Sequence, residues 1–135
     1  MTALVLDSEA FSSLARSRTG KHPGLVHAAL KAAVQTGSDV LIPAAVLAEQ
    51  YRGGAHDQIT DACLGRFTGI EVVDTTRQLA RRMGNLLARA GRGSRDHVDA
   101  SVVATAATAG GGVIATGDDL SELSAGLPGI VIERI

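Results

Sequence analysis

Residues 97–120 read HVDASVVATAATAGGGVIATGDDL, and the order of residue types in this stretch decides the fold. Small and β-branched residues follow Asp99, with Val102, Val103, Ala106 and Ala107 available for packing, as in a helix pressed closely onto a sheet. Gly110, Gly111 and Gly112 stop that helix. Val113, Ile114 and Ala115 form an apolar run too short for another helix, so they read as a strand, which the chain leaves through Thr116, Gly117, Asp118 and Asp119. Acids therefore mark one helix start and one strand end. In an open α/β sheet, ligands gather at the carboxyl ends of the strands.

The same grammar extends outward in both directions. Residues 2–6 (TALVL) read as a buried strand running straight into Asp7, and Ser8 opens a helix to about Ala15. A polar break carrying Arg16, Arg18 and Lys21 precedes a second helix over about 24–35. Val40, Leu41 and Ile42 predict the next strand, with Pro43 expected in the first turn of a helix that carries Glu49 two turns in and Arg52 just beyond. A helix over about 56–67 leads to a strand around Ile70, Val72 and Val73. The helix over about 75–90 is two-sided: Leu79, Met83, Leu86, Leu87 and Ala90 form its apolar stripe, and Arg77, Arg81, Asn85 and Arg89 a polar row. Ser94 is the expected N-cap of the next helix, with Asp96 in its first turn and Asp99 one turn on, and residues 130–132 close the chain as a strand. Strands alternate with helices, which predicts an α/β fold with a mostly parallel sheet of four to five strands. At 135 residues, one domain spanning 1–135 is expected.

Composition narrows the class. The chain is 45% hydrophobic and 20% charged, with one tyrosine, two phenylalanines and no tryptophan, so its core must be aliphatic and alanine-rich. Cys63 is the only cysteine, which excludes an internal disulfide and a multi-cysteine zinc site. The N-terminus lacks a basic leader and no apolar stretch is long enough to span a bilayer, so a cytoplasmic protein without membrane attachment is expected. The net charge of −1 announces no nucleic-acid partner, yet if four of the 14 acids share one site, 13 Lys and Arg dominate the remaining surface.

Those four acids carry the chemistry. Asp7 and Asp118 each follow an apolar strand, so parallel strands bring them to one edge; Glu49 and Asp99 lie on helices expected to start at that edge. Two carboxylates about 4 Å apart repel by about 4 kcal/mol at an effective dielectric of about 20, so a cluster of them calls for a cation. With oxygen ligands alone, the cation is a hard one, Mg²⁺ or Mn²⁺. Such a site can make a nucleophile of bound water and stabilise a leaving oxygen, as phosphodiester hydrolysis requires.

Four stretches together, VLDSEAF around Asp7, VLAEQYRG around Glu49, VDASVVATA around Asp99 and VIATGDDL around Asp118, resemble the PIN-domain family and within it the VapC toxins of bacterial toxin–antitoxin pairs. The resemblance implies a three-layer α/β/α fold and a Mg²⁺- or Mn²⁺-dependent endoribonuclease suppressed by a small VapB-like antitoxin, with a homodimer expected. Carried over, Asp7, Glu49 and Asp99 would be the central metal-binding and catalytic acids, with Asp118 the fourth. Thr116 matches the hydroxyl residue before the last acid, an orienting or substrate-contacting group. Asp119 competes with Asp118, Asp96 could join or replace Asp99, and the triple glycine lengthens the turn before the last acidic strand.

Candidate substrate contacts are Ser8 and Thr116 together with Arg16, Arg18, Lys21, Arg52 and Arg95; Arg92 and the row of Arg77, Arg81 and Arg89 extend the basic surface toward an RNA backbone. The scarcity of aromatic residues leaves little base stacking. Neither a dinucleotide-binding glycine fingerprint nor a P-loop nor a nucleophile elbow is present. Three rival readings remain: a PIN nuclease of RNA processing without an antitoxin, a phosphorylated receiver-like domain, and a non-catalytic protein-binding module. The receiver reading lacks a late lysine, since none follows Lys31.

Overall fold

Parallel strands are joined by crossovers that are overwhelmingly right-handed, so the order in which strands are added fixes which face each helix covers. The computed structural model describes residues 3–16 and 23–135. Its elements run β1 (Ala3–Leu6), α1 (Ser8–Ala15), α2 (Pro23–Thr36), β2 (Asp39–Pro43), α3 (Ala44–Gln50), α4 (Gly54–Arg66), β3 (Ile70–Val73), α5 (Arg77–Arg89), α6 (His97–Thr108), β4 (Gly112–Thr116), α7 (Ser121–Ser124) and β5 (Ile130–Arg134). The sheet has five strands in the order β3-β2-β1-β4-β5, every neighbouring pair parallel. Growth runs outward from β1 through β2 to β3, then returns to add β4 and β5 on the other side. This reversal makes the gap between β1 and β4 the switch point of the sheet.

Helices flank both faces, giving the expected α/β/α architecture. α1 and α2 pack on each other and on β1, while α6 lies across β1, β2 and β4 with α5 stacked against it. β1 is buried along its whole length, as a central parallel strand must be. Every residue of α6 from Ala100 to Ala106 is buried, which its alanines, serine and valines permit by letting helix and sheet approach closely. On α5, Leu79, Met83 and Leu86 face inward as their spacing predicts, Leu87 and Ala90 are half-buried, and Arg77, Arg81, Asn85 and Arg89 are exposed.

Three local expectations are corrected. Pro43 closes β2 and caps α3 from outside, instead of lying in the first helical turn, because its backbone is still extended at ψ 141°. Ser94 starts a short 3₁₀ turn (Ser94–Asp96) and makes no cap; Asp96 holds the cap position of α6, so Asp99 falls within its first turn. The third glycine does not lengthen the turn. Gly110 and Gly111 take positive φ values of 87° and 108°, but Gly112 is the first residue of β4, paired with Ala3, and a Cβ there would lie 2.2 Å from the Ala3 carbonyl oxygen. Only glycine allows β4 this entry into the sheet.

Candidate metal centre

Asp7 follows the last residue of β1, and its N–H donates to the Ala115 carbonyl at 3.1 Å, continuing the β1–β4 ladder one step past the strand. The same residue caps α1, its Oδ1 accepting from the Ser8 N–H at 2.7 Å. Strand and helix thus fix both ends of the Asp7 backbone at the switch point. The other carboxylate oxygen accepts from the Thr116 hydroxyl at 2.6 Å, and Thr116 Oγ1 in turn accepts from the Asp118 N–H at 3.0 Å. One hydroxyl therefore sets Asp7 and the turn bearing Asp118 relative to each other. Thr116 is fully buried. Its hydroxyl is engaged on both sides, which fits the orienting role expected of it.

From the opposite layer, the first turn of α6 carries Asp99 to the same place. Carboxylate oxygens of Asp7, Asp99 and Asp118 lie within 4.8 Å of one another, with Asp7 buried, Asp99 half-buried and Asp118 exposed. The arrangement is graded from floor to mouth. Burial, and after it the neighbouring carboxylates of Asp7 and Asp118, push Asp99 up to about 6 from 3.8. Burial also raises Asp7, with the Thr116 and Ser8 hydrogen bonds acting against it and Asp118 and Glu49 adding to it. Acids held in mutual repulsion, with no ion pair to any of the three among the described residues, form an all-oxygen donor set suited to a hard divalent cation.

The remaining candidates take different places. Glu49 lies outside the trio at its rim, exposed near the end of α3, and accepts from the Ser8 hydroxyl at 2.5 Å. Its charge still reaches both Asp7 and Asp99. Asp119 accepts from the Ser121 N–H at 3.0 Å, and hydrogen bonding to the Ser121 side chain first, then to its backbone, holds the Asp119 carboxyl below the usual range. Asp96 faces Arg92 at 3.7 Å and contributes to the trio only through its field on Asp99. Arg92 is also engaged by Glu122 at 3.0 Å. Arg52 and Arg95 are exposed, whereas Arg16 is half-buried against Gln50 and His56. Arg18 and Lys21 lie outside the described residues. His97 is exposed, its ring nitrogen 3.1 Å from the Ser94 carbonyl.

Two residues escape a reading of motifs. Gln50 is buried, accepts from Ser12 Oγ and Arg16 at 3.2 Å each, and donates to the Ser8 carbonyl at 3.2 Å, so it ties the end of α3 to α1 and fixes where Glu49 stands. The only signal was its adjacency to Glu49. Glu9 places its carboxylate where a side chain at Gly117 would go, so the bare backbone at 117 admits a further acid to the rim.

The family model described as PIN domain matches residues 4–125. Among solved structures, the chain is similar to VapBC2 from Rickettsia felis bound to a DNA fragment from its promoter (16% identity, 99% of each chain, TM-score 0.65). It is also similar to DNA-bound VapBC from Salmonella typhimurium (24% identity, 99% of this chain and 98% of that one, TM-score 0.64). VapBC-5 from Mycobacterium tuberculosis, of the VapBC toxin–antitoxin family, matches at 22% identity over the whole of both chains with a TM-score of 0.56. No curated protein matches by sequence.

Proposed function

The chain belongs to the PIN-domain family, and on that premise we propose that it is a metal-dependent endoribonuclease, the VapC-type toxin of a toxin–antitoxin pair. The observation that carries the reading is the meeting of the Asp7, Asp99 and Asp118 carboxylates within 4.8 Å at the switch point of the sheet. Asp7, Asp99 and Asp118 would hold Mg²⁺ or Mn²⁺, with Glu49 at the rim. When bound, such an ion supplies Lewis acidity, an activated water and charge neutralisation at a phosphate.

The chain's own residues do the positioning. Thr116 and the Ser8 N–H fix the Asp7 carboxylate beside those of Asp99 and Asp118. Asp99 is the acid most opposed to ionisation by its surroundings, which makes it the one whose charge a cation most relieves. Asp118 stands exposed at the mouth, where a backbone phosphate arrives. Ser8 holds Glu49 through its hydroxyl, and Arg52 and Arg95 are exposed for phosphate contacts. No helix among the described residues is long and apolar enough to cross a membrane.

A VapB-like antitoxin partner and a homodimer, with the PIN unit spanning residues 1–135, complete the proposal; the similarity to VapBC complexes supports the partner. The test is cleavage of a structured RNA pool by protein freed of co-purifying partners, with Mg²⁺, Mn²⁺ or EDTA, alongside Asp99→Asn. Metal-dependent cutting that the variant lacks supports the nuclease. Folded protein that neither cuts nor binds a divalent ion leaves the acids as caps on a binding module. The product of an adjacent small reading frame, added back, should abolish cutting; a nuclease indifferent to it is the RNA-processing alternative.

A further inference from the structure

Strand register brings a cation to the acidic edge that no motif marks. β5 runs parallel to β4, so its carboxyl end reaches the edge of the sheet where Asp7 and Asp118 stand, and Thr116 on β4 pairs with Arg134 on β5. The Ile135 N–H donates to the Thr116 carbonyl at 3.0 Å, so the ladder continues past Arg134 and fixes its backbone. The side chain then crosses to the exit turn of β4 and donates from one Nη to the Gly117 carbonyl at 3.0 Å, one residue before Asp118. Backbone and side chain of Arg134 are thus both tied to the turn that bears Asp118, the turn whose Thr116 also holds Asp7.

Arg134 is exposed, and among the described residues it has no second hydrogen bond and no ion pair. Its charge reaches Asp119 on the same turn. Other arginines near this edge are committed elsewhere: Arg92 to Glu122 and Asp96, and Arg16 to Ser12, Gln50 and His56. A guanidinium anchored through one nitrogen keeps the rest of its planar fork for a ligand, and that fork matches the paired oxygens of a phosphate. Because it forms no ion pair with Asp7, Asp99 or Asp118, it stands outside the ligand set of a cation held there. We propose that Arg134 binds a backbone phosphate of the RNA next to the one that meets the acidic trio, and so sets the position of the strand across the metal centre. The inference rests on the nuclease reading for the identity of its ligand.

Binding of a single-stranded RNA oligonucleotide to the partner-free full chain, followed by fluorescence anisotropy over a range of salt with Ca²⁺ replacing Mg²⁺, tests it. Arg134→Gln should weaken binding about tenfold and lower the slope of log affinity against log salt by about 0.7, the share of one phosphate contact on a single strand. Arg134→Lys should restore the slope but recover only part of the affinity, since an ammonium keeps the charge and loses the fork. Melting temperature and Mn²⁺ affinity should stay near native in both variants. An Arg134→Gln protein that keeps the native slope, or that loses RNA affinity only in step with Mn²⁺ affinity, shows a residue that merely braces the turn and overturns the proposal. Native protein that binds no RNA overturns it as well. A cleavage assay run alongside separates the two readings. RNA bound through Arg134 but never cut removes the nuclease and keeps the phosphate contact; cutting with a slope indifferent to Arg134 does the reverse.

Discussion

Asp99→Asn should make the metal-free protein more stable. Burial and the charges of Asp7 and Asp118 push the Asp99 carboxyl up to about 6 from 3.8 in the unfolded chain. An acid whose pKa is raised by folding contributes stability that is fully present below about pH 3.8 and is lost as the pH rises through about 6. Above pH 7 the loss for a shift of roughly two units is about 3 kcal/mol at about 1.36 kcal/mol per unit. Asp99 is half-buried, so solvent screening reduces this to about 1–2 kcal/mol, or roughly 3–8 °C in melting temperature for a chain of this length. Asparagine keeps the shape and removes the charge. In EDTA, thermal unfolding should show the variant ahead of the native protein at pH 7.5, with the gap closing as the pH falls toward 4. Saturating Mg²⁺ should reverse the order, because only the intact trio gains binding free energy, about 2.7 kcal/mol at a concentration of about 100 Kd. A variant that melts below the native protein in EDTA at pH 7.5, or a gap that ignores pH, would refute the claim that burial and the neighbouring carboxylates oppose the charge on Asp99.

Other perturbations probe the same architecture. Asp118→Asn should cut RNA cleavage and Mn²⁺ affinity by at least about tenfold, whereas Asp119→Asn, whose carboxylate is engaged by Ser121, should leave both nearly unchanged; equal losses measured for the two would overturn the distinction between them. Thr116→Val removes both the donor to Asp7 and the acceptor for the Asp118 N–H, and should cost about 1.5–3 kcal/mol in urea unfolding while weakening metal binding measured by calorimetry. Gly112→Ala puts a methyl 2.2 Å from the Ala3 carbonyl oxygen, so it must part β1 from β4. Loss of about 3 kcal/mol or more is expected, read as a lowered melting temperature and reduced soluble yield.

Residue order alone specifies the alternation of strands and helices, the strand-end placement of Asp7 and Asp118, and the helix-start placement of Asp99. Each is set by periodicity and by caps and breakers acting within a few residues, which is why the α/β class and the acids could be read in advance. Short-range signals do not fix register or strand order. Tertiary structure alone decided that Gly112 must lie against Ala3, that β4 adds beside β1 and creates the crevice, and that Asp118 enters it while Asp119 turns to Ser121. It also decided the part played by Gln50, whose three partners, Ser8 and Ser12 on α1 and Arg16 at its cap, come from a segment 34 to 42 residues away in the chain. Two adjacent aspartates look alike in sequence; their roles separate only when the β4 exit turn is pinned by a hydroxyl whose other partner, Asp7, stands 109 residues earlier. Local chemistry thus selected the residue types, and long-range packing of the sheet selected which of them meet.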